Sequence, residues 1–474
     1  MASTGFFHGV EVNEVNSGLI PISQIKAGVI ALVGVSPIGP IEPTFVGSQV
    51  AASQFGPSVF DGRSLPHALD AILGQGGAQV VVVNCYDAVV HQTTVAAEVA
   101  TVGPDLKVPL AQIPNSALVV KNSGATVTLV LGTDYSFEAG KKEIRILNPA
   151  TYPSATALSI SYKYFDKTKV LAAHLVGTSA GARTGIQKLD DIYSLFGFNP
   201  KILIAPGYSD IKAVSDALIA KNPTLKSRVI IDAPITTTVA GAIAGRGPAG
   251  AIPNFNSNSK KTIAVFPQVF KADIFGGGAP QLFPLSAYVA GRWSASISEF
   301  GVHYSFSNQT LKGIVKPELP ISFGLSNPSC DAFLLNAAGI VTLVSGFGTG
   351  YKAWGNNSLA FPSSASITSF TSVDLVADVI DESVQAASLA FVDQPLDLAL
   401  IDNIKASVQG FLNELILAKA IIDGSITFDP AKNTPALLAQ GKVTFDMSFL
   451  PPGPAQNIAF NSFVDISLFS KLTA

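Results

Sequence analysis

"AGVIALVGV", residues 27–35, carries no polar side chain, and Lys26 and "SPIGP" bound it. A half-exposed strand alternates apolar with polar residues; a run without alternation is how a strand buried on both faces reads. It is also far short of the ~20 residues that cross a bilayer. Further along, "RSLPHALDAILGQ" (63–75) sets Leu65, Leu69 and Leu73 at helical spacing. It leads through Gly76-Gly77 into "AQVVVVNCY" (78–86), a second buried strand. Strand, helix, strand is the unit of a parallel sheet. The pattern resumes with "PKILIAPGYSD" (200–210), the amphipathic "IKAVSDALIAKNP" (211–223) and "SRVIIDAP" (227–234). "KTIAVFPQVF" (261–270), the helical "PLSAYVAGRWSAS" (284–296) and "DAFLLNAAGIVTLVSGFG" (331–348), helix then strand, continue it.

Between these α/β stretches the texture changes. "ALVVKNSGATVTLVLGTDYSF", "KEIRIL" and "TALSISYKYF" are short β runs separated by "NSG", "GTD" and "EAGKK" turns, predicting a small all-β module at 108–166 inserted into the α/β sheet. Near the end, "DLVADVIDESVQAASLAF" and "DNIKASVQGFLNELILAKAIIDG" read as two helices, the second closed by Asp423-Gly424. "KVTFDMSFL" (442–450) alternates strictly, and beyond "PPGPAQ" the stretch "NIAFNSFVDISLF" (457–469) puts Ile458, Phe460, Val464, Ile466 and Leu468 on one face of a strand. "FFHGVEVNEVNSGLIPI" (6–22) also alternates, with Val10 and Val12 on one face. It has no basic n-region, long apolar core or cleavage-type residues, so nothing marks it for removal and folding in a cytoplasm is expected. Both ends thus read as strands in search of partners.

The 474 residues exceed one ordinary core and predict several domains. Mean hydropathy is +0.40, although no run has membrane-spanning length. Charged residues make up 13 %, about half the usual ~25 %. Such poverty of charge suggests a subunit that buries surface against neighbours. A net charge of −3 gives no footprint for nucleic acid. Cys85 and Cys330 stand apart with no CxxC, and the five histidines show no metal-ligand spacing, so no metal or disulfide framework is expected. "GRGPAG" (245–250) fits G-x-G-x-x-G but follows a helical stretch and reads as a flexible surface loop; "GFGTG" (346–350) lacks GK[ST] and reads as a tight turn, so no cofactor is expected. No G-x-S-x-G elbow occurs, and "GVHYSFSN" around His303 and Ser305 has no nucleophile signature. On the helix from 374, Val376, Ile380, Val384, Ala387 and Phe391 form an apolar stripe, with Asp374, Asp378, Asp381 and Glu382 opposite. An acidic stripe of this kind is either a solvated face or a contact for a partner's basic surface.

Taken in order, these segments resemble the contractile tail sheath family of phages and related bacteriocin particles. The opening "FHGVEVNEVNSGLIPI…AGVIALVGVSPIGPIEP" is similar to the family's "PGV-V-EV-SG-PI" arm and the strand after it. "FGPSVFDGRSLPHALDAILGQGGAQVVVVNC", "ILIAPG…VIIDAP", "AGRWSASISEFGVHYSFSNQTLKGI" and "LLNAAGIVTLVSGFGTGYKAWGNNSL" resemble segments that follow. "FVDQPLDLALIDNIKASVQGFLNEL" and "GKVTFDMSFLPPGPAQNIAFNSFV" resemble the C-terminal region. The β module lies outside the matched segments, and "SIS" and "YSFSN" depart from the central signature.

The resemblance implies an α/β multidomain subunit. A subtilisin-like α/β middle domain without a working triad (21–107 and 167–370) would carry the β module (108–166). An α+β C-terminal assembly domain (371–455) and extended arms (1–20 and 456–474) would complete it. It implies that the arms add strands to subunit sheets, Val10, Val12 and Val15 to a neighbour's and Phe460, Val464 and Ile466 to one in the same or an adjacent subunit. It implies a non-enzymatic homo-oligomer, hexameric rings stacked as a helical sheath around an inner tail tube, meeting baseplate and tail terminator proteins, with no nucleic acid and no membrane insertion. Such a sheath belongs to the virion tail and is assembled in the host cytoplasm. Asp374, Asp378, Asp381 and Glu382 would then face the tube, and the β module would face outward. A secretion or injection-machine sheath is the neighbouring alternative. A monomeric subtilisin-like hydrolase and a surface-layer protein are rivals from other classes.

Overall fold

The computed structural model describes residues 21–472 apart from 247–249, 251, 253, 275–276, 326, 347 and 349. Val10, Val12 and Val15 lie outside the described residues. In chain order come β1 (Val29–Gly34), β2 (Thr44–Val46) and β3 (Gln79–Asn84). β4 (Gln92–Thr101), β5 (Lys107–Pro109), β6 (Val119–Asn122), β7 (Tyr135–Phe137), β8 (Glu143–Ile146) and β9 (Ala157–Phe165) follow. Then come β10 (Ile202–Ile204), β11 (Arg228–Asp232), β12 (Thr262–Val265), β13 (Val269–Lys271), β14 (Gln281–Phe283), β15 (Thr310–Leu311) and β16 (Lys316–Pro317). β17 (Ile340–Ser345), β18 (Tyr351–Trp354), β19 (Asp423–Thr427) and β20 (Asp446–Leu450) complete the strands. The long helices are α1 (Leu65–Leu73), α2 (Lys212–Ala220), α3 (Leu285–Phe300), α4 (Thr371–Ser388) and α5 (Leu398–Leu417).

The spine is a nine-stranded sheet in the order β15-β18-β17-β12-β11-β10-β1-β3-β2. From β3 to β17 it is parallel, and antiparallel strands close both edges. All six residues of β1 are buried, as the unbroken apolar run predicts. Ile30 and Leu32 join one apolar cluster with residues of α1, α3, α4 and α5, while Val29, Ala31 and Val33 join another with α2. The valine, isoleucine and leucine side chains contribute about 1.5–3 kcal/mol each on full burial. The close crossing of α1 and α3 requires Gly291, where a Cβ would sit 2.7 Å from the Ile72 backbone. The C-terminal helices therefore share a continuous core with the sheet.

Between β3 and β10 the chain builds two three-stranded sheets, β4-β9-β6 and β5-β8-β7, around a separate cluster that includes Val108, Val120, Ile144, Leu158 and Ile160. This β segment begins at Gln92, not at 108. β4, "QTTVAAEVAT", is rich in alanine and has no turn signal before it, which hides a strand from propensity alone. Gln92 and Phe165 are paired in register, so the chain leaves the main body and returns at adjacent points. Two histidines fasten this junction, with His91 Nε2 2.8 Å from His174 Nδ1. The Asp87 N–H donates to His91 Nδ1 and the Leu171 N–H to His174 Nδ1. Both Nδ1 atoms accept, so His91 Nε2 carries the proton that joins the rings.

One sequence expectation fails near the C-terminus. α5 stops at Leu417 and not at Asp423-Gly424. Lys419 takes a left-handed φ of 59°, and the Lys419 and Ala420 N–H groups bond Ile416 and Leu415 carbonyls, a Schellman ending made without glycine. Asp423 and Gly424 instead open β19. Among the described residues the stretch 457–469 pairs with no strand: residues 451–465 are irregular and Ile466–Leu472 form a 3-10 turn.

Candidate functional site

The acidic side of α4 does not form a free surface. Asp374 and Arg228 are buried and paired, and Arg228 also reaches Asp378 at 2.8 Å. Lys260 lies 3.1 Å from Asp374, Lys261 pairs with Asp378, and Lys201 pairs with Glu382. Geometry explains the match. Lys201, Arg228 and Lys261 stand at the starts of the adjacent strands β10, β11 and β12. Strands lie about 4.8 Å apart, and successive turns of a helix place carboxylates about 6 Å apart. A helix laid across the strand starts thus brings roughly one carboxylate to each strand. Asp381 remains at the edge, its carboxyl raised by partial burial against the pull of Lys226. The expectation that these four acids face a partner is therefore corrected: three are consumed holding α4 to the sheet. The signal missed was a basic residue at the start of β10, β11 and β12 alike, which low dielectric forbids without a partner.

At the other end of the strands, Asp232 is buried at the end of β11. It accepts from the Ser286 N–H and from the Ser286 and Ser209 hydroxyls, and desolvation pushes its carboxyl up to about 6. His67, nearby on the same cavity wall, stacks on Phe60 with ring centroids 4.0 Å apart. Burial, then the charge of Lys271, lowers its pKa to about 4. His303 is placed apart from this cavity, beside Tyr304.

The third feature is the antiparallel β19–β20 pair, whose Ile426, Met447 and Phe449 pack on the main cluster with Leu412 and Leu415 of α5. Gly424 is closely packed there: a Cβ would meet Ile421, Leu412 and Phe449 side chains at 3.1–3.4 Å. Directly beyond β20 runs the tail. Phe460, Val464 and Ile466 are 89 %, 99 % and 76 % exposed. Ile458, Phe463 and Phe469 are uncovered as well. Exposed apolar side chains in such a row mark a surface that another molecule covers.

This is a mixed α/β multidomain protein with the fold of contractile sheath subunits. It aligns with the sheath of an extracellular contractile injection system in its contracted state at a TM-score of 0.60, with 13 % identity, covering 98 % of this chain and 100 % of the other. The contracted sheath of the anti-feeding prophage gives 0.58 at 15 % identity, with the same coverage. Residues 162–359 match the model of the phage tail sheath protein central domain, and 85–176 match that of a protein of unknown function. The tail sheath protein of Burkholderia phage BcepMu is 38 % identical over 465 residues, 97 % of each chain. That of Escherichia phage P2 is 25 % identical over 65 % of this chain and 75 % of its own. The chain belongs to the tail sheath protein family.

Proposed function

We propose that this chain is the structural subunit of a contractile tail sheath, which polymerises helically around an inner tail tube and contracts to drive that tube through a bacterial envelope. Copies form hexameric rings stacked between a baseplate and a tail terminator, in a virion tail assembled in the host cytoplasm. The middle of the chain serves as a subtilisin-like scaffold without catalysis; the hydrogen bonds that Ser209 and Ser286 spend on Asp232 support a structural role there. No cofactor, nucleic acid or membrane insertion enters the reading. The β segment faces outward, where insertions are best tolerated.

The observation that carries the proposal is the uncovered tail beside a two-stranded sheet. Val464 is 99 % exposed, while the β19–β20 sheet has two strands among the described residues. Strands passed between copies satisfy both needs. Two or three tail side chains, at about 1.5–3 kcal/mol each, give several kcal/mol per link before ordering costs. A flexible link of that size holds while rigid bodies swing about it, and better contacts in the contracted state supply the free energy.

Negative-stain electron microscopy of the full chain beside a form lacking residues 1–20 tests this reading. Rings or striated tubes from the intact chain, and dispersed particles from the shortened one, are expected. Dispersed particles from the intact chain even with a co-expressed tube protein would overturn it.

A further inference from the structure

A groove of about 590 Å³ opens where the chain enters the described fold. Its walls include Ile25, then Tyr193, Phe196 and Phe198 ahead of β10, then Leu389 just beyond α4. The Ile25 N–H donates to Ser383 Oγ of α4 at 3.1 Å, which pins the incoming chain along one side. The aromatic side is preformed: Phe196 and Phe198 stack with centroids 5.9 Å apart, and Phe45 packs on both. Tyr193 and Leu389 nevertheless stand 54 % and 67 % exposed. An apolar hollow of this kind is a surface that something covers.

Charge narrows the occupant. Glu382 on the wall is already paired with Lys201. Lys26 and Lys226 also line the groove, and among the described residues neither forms an ion pair. Lys26 rests over the Phe198 ring at 4.8 Å, and Lys226 acts on the Asp381 carboxyl. An apolar and acidic occupant therefore fits. Residues 1–20 have this chemistry: they carry Glu11 and Glu14 and no lysine or arginine, set among Val10, Val12 and Val15. They also end at Ile20, next to Pro21 and close to Ser23 on the groove wall. With Asn16-Ser17-Gly18 as a turn, extended backbone at about 3.4 Å per residue carries Val12 and Val10 back to the level of that wall.

We propose that in the free subunit this groove holds the chain's own residues 10–15, with Val10 and Val12 against the aromatic wall and Glu14, on the same face, toward Lys26 and Lys226. The inference rests on the linking role of the arm given above and adds a resting place for the arm before a neighbour takes it. An arm held in this way cannot join another copy, so the groove competes with assembly. Subunits then add where a neighbouring sheet binds the arm more tightly than the groove does, and not to one another in solution.

Backbone amide exchange of the full chain in dilute solution, followed by mass spectrometry, tests this. Protection of 193–199 should be independent of protein concentration, and Val10→Asp with Val12→Asp should cut it by about tenfold. Synthetic peptide 6–16 at saturation should restore it to that variant. Lys26→Glu with Lys226→Glu should also cut it, and adding Glu14→Lys should recover it, which a merely loosened groove would not do. Protection indifferent to Val10 and Val12 overturns the proposal. Protection that rises with concentration overturns it too, in favour of a second copy as the occupant. Electron micrographs are read separately: particles from a chain whose groove fails these tests leave the sheath reading standing, and absent particles from a chain that passes them strike that reading alone.

Discussion

Asp374→Ala strikes the centre of the ion-pair lattice beneath the sheet. Arg228 is fully buried and Asp374 is 2 % exposed, so the aspartate cannot be lost to water without consequence. Removing one member of a buried pair costs about 3–5 kcal/mol, because the other charge is left in low dielectric. Here Asp378, 2.8 Å from the same guanidinium, stays as a second partner. That remaining contact places the expected loss near the lower end, about 3 kcal/mol. Urea unfolding followed through Trp293 and Trp354 measures it; with a slope of about 3 kcal/mol per molar, the midpoint falls by about 1 M. The companion variant is Arg228→Met with Asp374→Leu, which replaces charge by apolar volume and should recover most of the loss. Lys261 then still has Asp378. A loss below about 1 kcal/mol for Asp374→Ala, or a double variant worse than the single one, would refute the claim that desolvated charge fastens α4.

Asp232, raised to about 6 by burial, holds in the folded state a proton that the unfolded chain releases near 3.9, so this group makes stability fall by about 3 kcal/mol as pH rises from 4 to 6. His67, lowered to about 4, acts oppositely: the unfolded chain gains its proton near 6.5, and stability is lost as pH falls from there. Unfolding measured from pH 4 to 7 should therefore steepen toward acid in Asp232→Asn and flatten there in His67→Phe. At the β-segment junction, burial and the neighbouring His174 ring lower the His91 pKa, and a proton on His91 Nδ1 would face the Asp87 N–H. Asp87, Asp166 and Lys169 are the charged groups around it. Protection of the 87–92 amides, taken relative to the intrinsic exchange rate at each pH, should fall on the acid side of the usual imidazole range, and in His91→Phe this dependence should vanish. Phe460→Asp with Val464→Asp should leave the unfolding midpoint unchanged, because both residues are exposed, yet abolish particles in electron micrographs.

The parallel sheet was legible because its signal is strong. Strands without polar alternation, such as "VIALVG" and "QVVVVN", have few other stable homes. The acidic helix was legible as a helix and misread as a surface. The i, i+4 spacing of Asp374, Asp378 and Glu382 says that they share a side, not what lies across from it. Their partners Lys201, Arg228 and Lys261 are more than a hundred residues away in the chain, brought together only by strand order. The α5 ending was hidden because a lysine adopts the left-handed turn that glycine usually marks. The tail reads as a strand because its side chains alternate, and it forms none here because a strand needs a neighbour.

The pairing of Gln92 with Phe165 makes the β segment a socket. Its two stalks emerge side by side from a sheet that is already closed by β2 and β3 on that flank. Any folded cargo whose ends lie about 5 Å apart fits the same opening without disturbing the strand order beneath. An engineer can replace residues 92–165 with another folded domain, giving up the contacts that Asn115 makes with Tyr86 and Gly140 with Pro57.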